Sequence, residues 1–337
     1  MEKKTTIYDI AQASGYSTTT VALAQNDKGI MPDGRREYIK KLAVEMGYEP
    51  NLLAMAMKGV KTKHIGIVIN YLDNAFFRSF FKGIEETLDK AGYTYSVSQT
   101  RDDLEKEKQY IKKLAQQKVD GIVLLPASQE HEHLDELVGK GIPVVLISHR
   151  LPGFPALEAD NYRGAQLAAE HMLSLGYQTN IYIAGPTNKS AIKDRMDGYC
   201  SVMEGKWGFS SAHVYSVDSL SAEAGYAIMP EILKEASYPM TISVTNDEVA
   251  MGVLRYCRQH HIRIPEQIAV SGFSNIDILD SYGIELTTVN IPQKEMGTSA
   301  VSLIMQILDD KTYNKEENPV VTLPVNLVIR ASTEKPS

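Results

Sequence analysis

Near the start of the chain, apolar residues recur at helical spacing in three short stretches. Ile7, Ile10 and Ala11 fall on one face of a helix that Thr6 opens as a hydroxyl cap, with Asp9 three residues on to meet the free backbone N–H groups. Ser14-Gly15-Tyr16 stops this helix, because Gly15 supplies the positive φ of a tight turn. Ser17 caps a second helix running from Thr18 to about Ala24, whose inward residue is Val21. Pro32 and Asp33 open a third through Met46, striped by Ile39, Leu42, Ala43 and Met46 and closed by Gly47. Two short amphipathic helices about a glycine turn form a helix-turn-helix, which lays the start of its second helix in the DNA major groove. Thr18, Thr19 and Leu23 are then expected to face bases. A plain helical hairpin would give the same stretch; the segments that follow separate the two readings.

From His64 the period changes to short β-rich runs alternating with helices. The predicted strands are His64–Ile69, Tyr93–Val97, Val119–Pro126 and Pro143–Ser148, with helices over Ala75–Ala91, Asp103–Gln117 and His131–Lys140 between them. After a turn at Leu151–Pro155 the rhythm restarts. Helices are expected at Tyr162–Leu175, Lys189–Gly205, Ala222–Ala236 and Asp247–His260, and strands at Asn180–Ala184, His213–Ser216, Met240–Val244 and Ile268–Phe273. A strand at Thr287–Asn290 and a helix over Gln293–Leu308 follow. Repeated βαβ units demand parallel sheets covered on both faces, so the fold class is α/β, with two doubly wound lobes behind the helical head. Ligands in such sheets bind outside the carboxyl ends of the strands. Polar residues collect there: Tyr71–Phe77, Ser148-His149-Arg150, Glu158–Asn161, Thr245-Asn246-Asp247 and Gly272–Asn275.

Composition narrows the class. A chain of 337 residues, 43% hydrophobic and 23% charged, suits a small head and a large soluble core. No apolar run approaches the ~20 residues of a membrane span. An amphipathic helix follows Met-Glu-Lys-Lys-Thr-Thr where an exported chain would carry an apolar signal, so a cytoplasmic location is expected. Cys200 and Cys257 lack paired-motif spacing and read as reduced thiols. His131 and His133, two apart on a helix, point to different faces and read as solvated surface rather than metal ligands. No dinucleotide, P-loop or nucleophile-elbow motif is present, so neither enzyme activity nor a cofactor is expected. Charge argues against easy binding to phosphates. Residues 1–60 hold eight Lys/Arg against seven Asp/Glu, a net +1 in a chain of net charge −7.

T-I-Y-D-I-A-Q-A-S-G-Y-S-T-T-T-V, then M-G-Y-E-P-N-L-L-A-M-A-M-K-G and finally V-I-R-A-S-T at Val328–Thr333 resemble the lactose/galactose-repressor family over nearly the whole chain. The resemblance implies a DNA-binding transcriptional regulator of the repressor type, a homodimer on pseudo-palindromic operator DNA. Its operator affinity would be set by a small effector, a sugar or sugar derivative, between two lobes resembling periplasmic binding proteins. A solute-binding or sensor protein of the same fold, with weak or altered DNA binding, is the alternative; the helical head at Thr6–Lys58 argues for the regulator.

The division implied is a head at 1–60 with a hinge helix at 51–58, and a core at 61–337. Within the core, the first lobe would take 61–160 plus 291–320 and the second 161–290 plus 321–333. DNA contacts are expected at Thr6, Ser17, Thr18, Thr19, Thr20, Leu23, Asn26 and Arg35, and on the hinge at Asn51, Ala54, Met57 and Lys58. Effector contacts are expected at Phe76, Phe77, Ser148, Asp160, Arg195, Leu220, Asn246, Asp247 and Ser274, although Asp247 could simply cap its helix and Phe76 and Phe77 could be lobe core. The departures matter as much. The family often has Asp where this chain has Ser148 and Ser274, and an aromatic at Leu220. Its T-V-S-R becomes Thr20-Val21-Ala22-Leu23, without the guanine-reading arginine. With two carboxylates lost and Arg195 kept, an anionic sugar derivative is expected to fit better than in a typical family cleft, a neutral sugar remaining open.

Overall fold

The first helix begins where a hydroxyl and a carboxylate meet across one turn. Thr6 N donates to Asp9 Oδ2 (2.8 Å) and Asp9 N to Thr6 Oγ1 (3.4 Å), a reciprocal cap that opens α1 (Ile7–Ser14). Gly15, at φ 73°, ends it. Ser17 Oγ then accepts from Thr20 N (3.1 Å) and starts α2 (Thr18–Gln25), and α3 (Asp33–Glu45) closes the unit. Caps of this kind contribute about 0.5–2 kcal/mol each, a large share for so small a body. Its core is Ile10, Val21, Ala24, Ile39 and Ala43, ringed by Ile7, Ala11, Tyr16, Met31, Met46 and Tyr48.

The computed structural model describes residues 5–26, 29–49, 60–204, 213–235, 237–309 and 319–334. The chain divides into two units, Met1–Thr62 and Lys63–Ser337. The expected hinge at 51–58 lies outside the described residues.

In the larger unit two six-stranded sheets follow one plan. The first holds β1 (His64–Ile69), β2 (Thr94–Gln99), β3 (Gly121–Leu124), β4 (Val144–Ile147), β5 (Ala156–Ala159) and β11 (Val320–Leu323) in the order β11-β5-β4-β3-β1-β2, all parallel. The second holds β6 (Thr179–Ala184), β7 (Val214–Ser216), β8 (Met240–Val244), β9 (Ile268–Ser274), β10 (Thr287–Asn290) and β12 (Asn326–Val328) in the order β12-β10-β9-β8-β6-β7. Here only β12 runs antiparallel, with Asn326 opposite Asn290. Strands β1, β3, β4, β8 and β9 are buried almost throughout, as expected of parallel strands covered on both faces.

Helices α4 (Phe76–Ala91), α5 (Leu104–Gln116), α6 (Glu132–Gly139) and α12 (Gln293–Asp309) accompany the first sheet. Helices α7 (Asn161–Ser174), α8 (Ser190–Met203), α9 (Ala222–Glu235), α10 (Asp247–Gln259) and the single turn α11 (Ile278–Ser281) accompany the second. Two helix pairs are set by glycine. A Cβ on Gly83 would run into the Lys294 carbonyl and one on Gly297 into that of Phe80, so α4 and α12 approach backbone to backbone. Gly225 and Gly252 do the same for α9 and α10.

Most boundaries fall within two residues of the periodic pattern; three points differ. β5, α11, β11 and β12 were not anticipated, since each spans only three or four residues, too short to show a period. β11 pairs with β5, so the last crossing between lobes lies after Leu323 rather than at 320. His133 is not solvated surface. Its Nε2 meets Glu107 Oε1 at 2.8 Å, and that carboxylate, fully buried, accepts from Ala127 N at 2.6 Å through its other oxygen. Cys200 is half-buried and Cys257 buried, both unpaired with sulfur. Among the described residues no helix is long and apolar enough to cross a membrane, and no cluster of three metal-ligating side chains occurs.

Candidate functional site

Between the two sheets, at the carboxyl ends of their strands, lies a cleft that opens to solvent and holds about 100 Å³ of internal space. Eight of the nine expected effector residues line it: Phe76, Phe77, Ser148, Arg195, Leu220, Asn246, Asp247 and Ser274. Asp160 does not. Its carboxylate caps α7, accepting from Arg163 N at 3.0 Å. The neighbouring Asn161 is the residue that reaches Arg195 instead.

Arg195 is the most constrained side chain here. Nε donates to Asn161 Oδ1 and Nη1 to the Thr245 carbonyl, both at 2.8 Å, and the guanidinium carbon stands 4.0 Å over the Phe273 ring. Burial lowers its pKa to about 10, which leaves it charged at neutral pH. Among the described residues no acceptor meets Nη2. The serine hydroxyls of 148 and 274 are likewise without a partner among the described residues. Both serines hold positive φ, 54° and 125°, as does Asn275 at 50°. Such conformations cost non-glycine residues about 1–3 kcal/mol each and cluster at functional sites.

Several lining residues were not singled out from the pattern: Asn70, Asn74, Leu125, Lys189, Ala191, Ile192, Glu248 and Ile276. Asn70 and Asn74 lie in or beside the polar run after β1, and each uses its amide oxygen on a nearby backbone N–H. Lys189 is paired with Asp102. Asn246, not Asp247, is the cap of α10: its Oδ1 accepts from Val249 N at 3.0 Å and its Nδ2 donates to the Leu220 carbonyl at 3.2 Å. Asp247 is buried with Oδ1 on Thr288 Oγ1 (2.5 Å) and Oδ2 on Ile276 N (3.0 Å), and burial raises its pKa to about 6.

The charge of the cleft differs from expectation. Two carboxylates, Asp247 and Glu248, line it with Arg195 and Lys189, so the serines do not leave it short of acids. A second space beside it is lined by Asp73, Asp218, Glu223 and Glu248, with no Lys or Arg. Burial, then the neighbouring Asp73, Asp247 and Glu223 carboxylates, push the Glu248 pKa up. An anion placed in that space would meet repulsion in a partly desolvated setting.

On the head, Thr19 and Leu23 are exposed, Leu23 by 38%, while Thr18 is half-buried. Thr6 and Ser17 serve as caps, Thr20 Oγ1 lies 2.9 Å from Ser17 Oγ, and Asn26 Nδ2 donates to the Ala22 carbonyl at 2.7 Å. The Arg35 guanidinium stands 5.2 Å over the Tyr16 ring. Asn51, Ala54, Met57 and Lys58 fall outside the described residues.

Residues 62–331 match the family model for periplasmic binding proteins and the sugar binding domain of the LacI family. Over 335 residues the chain is 32% identical to the HTH-type transcriptional regulator DegA of Bacillus subtilis (strain 168), with 98% of each chain covered. The fold matches that of the Lac repressor dimer bound to operator and the anti-inducer ONPF, with a TM-score of 0.82 at 23% identity over 98% of this chain and 99% of that one. A LacI family transcriptional regulator from Enterococcus faecalis V583 with bound ribose is 29% identical, with a TM-score of 0.70 over 80% of this chain and 98% of its own.

Proposed function

Since the chain belongs to the LacI family, we propose that it is a cytoplasmic, homodimeric transcriptional repressor whose grip on operator DNA is set by a small uncharged sugar held in the cleft and returned without chemical change. The head at 1–60, with its hinge at 51–58, reads the DNA; the core at 61–337 senses the sugar. The observation that carries the effector class is the mixture of free polar groups on an apolar wall. Arg195 Nη2 and the amide nitrogens of Asn70 and Asn74 can donate, Glu248 can accept, and Ser148 and Ser274 can do either. Phe76, Leu125, Leu220 and Ile276 supply the apolar surface. A polyol needs both donors and acceptors around it, whereas an anion needs donors alone. The paired acids of α10 and the acidic space beside them replace the earlier expectation of an anionic derivative with a neutral one.

The coupling is reciprocal: whatever free energy the sugar shifts in DNA binding, typically ~1–3 kcal/mol, DNA shifts in sugar binding. To test the reading, the full chain is used to select its site from randomised duplex DNA, and the selected site is then titrated in the presence of D-ribose, D-glucose, glucose 6-phosphate or gluconate. A ligand at a hundred times its Kd raises stability by ~2.7 kcal/mol, so a thermal shift finds the binder. A neutral sugar that stabilises the protein and changes its DNA affinity is expected. Selection of no site, or response to the two anions alone, would overturn the proposal.

The exposed position of Leu23 sets a second expectation. A leucine can only pack on a base, for example a thymine methyl, whereas arginine bonds guanine O6 and N7, worth ~1–3 kcal/mol of discrimination. Leu23→Arg should introduce a guanine preference at one position of each half-site. Identical selected motifs for parent and variant would place Leu23 away from the bases.

A further inference from the structure

His149 sits where the two lobes touch. It follows Ser148 at the end of β4 in the first lobe, and it is fully buried. Its Nδ1 lies 2.9 Å from the backbone N of Ser190 and 3.1 Å from Ser190 Oγ. Ser190 opens α8, the second-lobe helix that carries Arg195, and Lys189 at the N-cap position provides that helix with no side-chain cap. A backbone N–H only donates, so Nδ1 must present its lone pair and the proton of the neutral ring resides on Nε2. We propose that His149 of the first lobe is the cap of helix α8 in the second, a positioning residue that ties the lobes together only while its Nδ1 is free of a proton.

The charges around it favour the neutral ring. Arg150 N donates to Ser190 Oγ at 3.0 Å, and the Arg150 guanidinium joins Glu158 of the first lobe (2.5 Å) to Asp194 of the second (2.6 Å). Lys189 of the second lobe is paired with Asp102 of the first. Gln129 Nε2 donates to the Asn188 carbonyl at 2.9 Å; its 3.3 Å approach to His149 Nε2 sets donor beside donor in this tautomer and is no hydrogen bond, and a doubly protonated ring would keep that opposition and add a second at Ser190 N. The acids here are thus engaged by Arg150 and Lys189, and the amino end of α8 adds partial positive charge of its own. Burial first, then Lys189 and Arg150, hold the imidazole down at about 4. A proton on Nδ1 would set N–H against N–H and remove the cap.

The sign follows from linkage. With the lobes apart, His149 titrates as an ordinary histidine near 6.5; with them closed it stays neutral to about 4. The open form therefore binds more protons in that window, and closure weakens as pH falls through it, by up to tenfold per pH unit. The inference bears on the proposed function because Arg195 rides on α8. Its test needs neither effector nor DNA, so either idea can fail without the other.

The full chain with 15N-labelled histidine, the His149 signals assigned by their loss in His149→Asn, reports the tautomer directly. An unprotonated Nδ1 and a midpoint more than one unit below the ordinary histidine value of 6.5 are expected. Hydrogen exchange at the first turn of α8, corrected for the intrinsic rate, should lose protection between pH 7 and pH 5 in the parent. His149→Asn, whose side-chain oxygen can cap but cannot take up a proton in this range, should hold protection constant, and His149→Ala should lose it at both pH values. Asp247 titrates in the same window but is common to all three proteins, so the comparison isolates His149. A proton on Nδ1 at neutral pH, a midpoint near the ordinary 6.5, or equal pH dependence in parent and His149→Asn would each overturn the proposal.

Discussion

Arg195→Lys should weaken binding of the cleft ligand more than a hundredfold while leaving a folded, DNA-binding protein. The guanidinium has three simultaneous duties, Nε to Asn161 Oδ1, Nη1 to the Thr245 carbonyl, and its carbon over the Phe273 ring; the proposed effector would take Nη2. Lysine is a point charge without that fork or plane, so it can fill at most part of the set. The unmet Asn161 oxygen and Thr245 carbonyl, both buried, cost about 1–3 kcal/mol each when left unpaired. Arg195→Ala should lower the urea midpoint further, since the cavity left over Phe273 adds to the loss. Calorimetry with the sugar found in the screen checks the binding, and the selected DNA site checks the head. Parent-like sugar affinity in Arg195→Lys would mean that the arginine only props the lobe.

The second large effect belongs to Asp247. Its two oxygens bridge Thr288 of β10 and the backbone of Ile276, and it is 1% exposed. Asp247→Ala should cost about 1–3 kcal/mol for each partner stranded. Asp247→Asn keeps the shape and tests the titration. The folded-state pKa, raised by burial to about 6, exceeds the ordinary value of 3.8. The folded chain therefore holds this proton more tightly, and the associated stability is present below about 4 and lost as pH rises through about 6. Urea midpoints at pH 5 and pH 7.5 should thus differ between parent and Asp247→Asn, with the parent losing more on going to the higher pH. His149 contributes a slope of opposite sign, but equally in both proteins. Matching slopes would show that Asp247 does not titrate in this range.

What could be read from the sequence depended on length and on neighbours. Long amphipathic helices and buried strands such as His64–Ile69, Met240–Val244 and Thr287–Asn290 declare their period and were placed to the residue. β5, β11 and β12 form because a sheet edge is waiting for them, and a run of three or four residues does not encode that edge. The cleft residues at strand ends were legible because the parallel topology fixes where polar residues gather. Individual roles were less so. Asp160 and Asn161 are adjacent, and only the turn into α7 decides that the aspartate caps while the asparagine meets Arg195. Likewise the cap considered for Asp247 is made by Asn246, while Asp247 bridges to β10. His133 looked like surface because its partner, Glu107, lies on another helix.

The last two strands carry a consequence for synthesis. β11 completes the first sheet beside β5, and β12 completes the second beside β10, with only two residues between them. As the chain leaves the ribosome, five strands of the first sheet emerge early, yet the sixth follows only after five strands of the second. Neither lobe can close its edge before the other is nearly made. A nascent chain stalled before residue 320 would present two incomplete sheets at once, each with a bare edge beside its fifth strand. The two lobes are thus finished together, within nine residues of translation, and a chain truncated before them would leave both sheets one strand short.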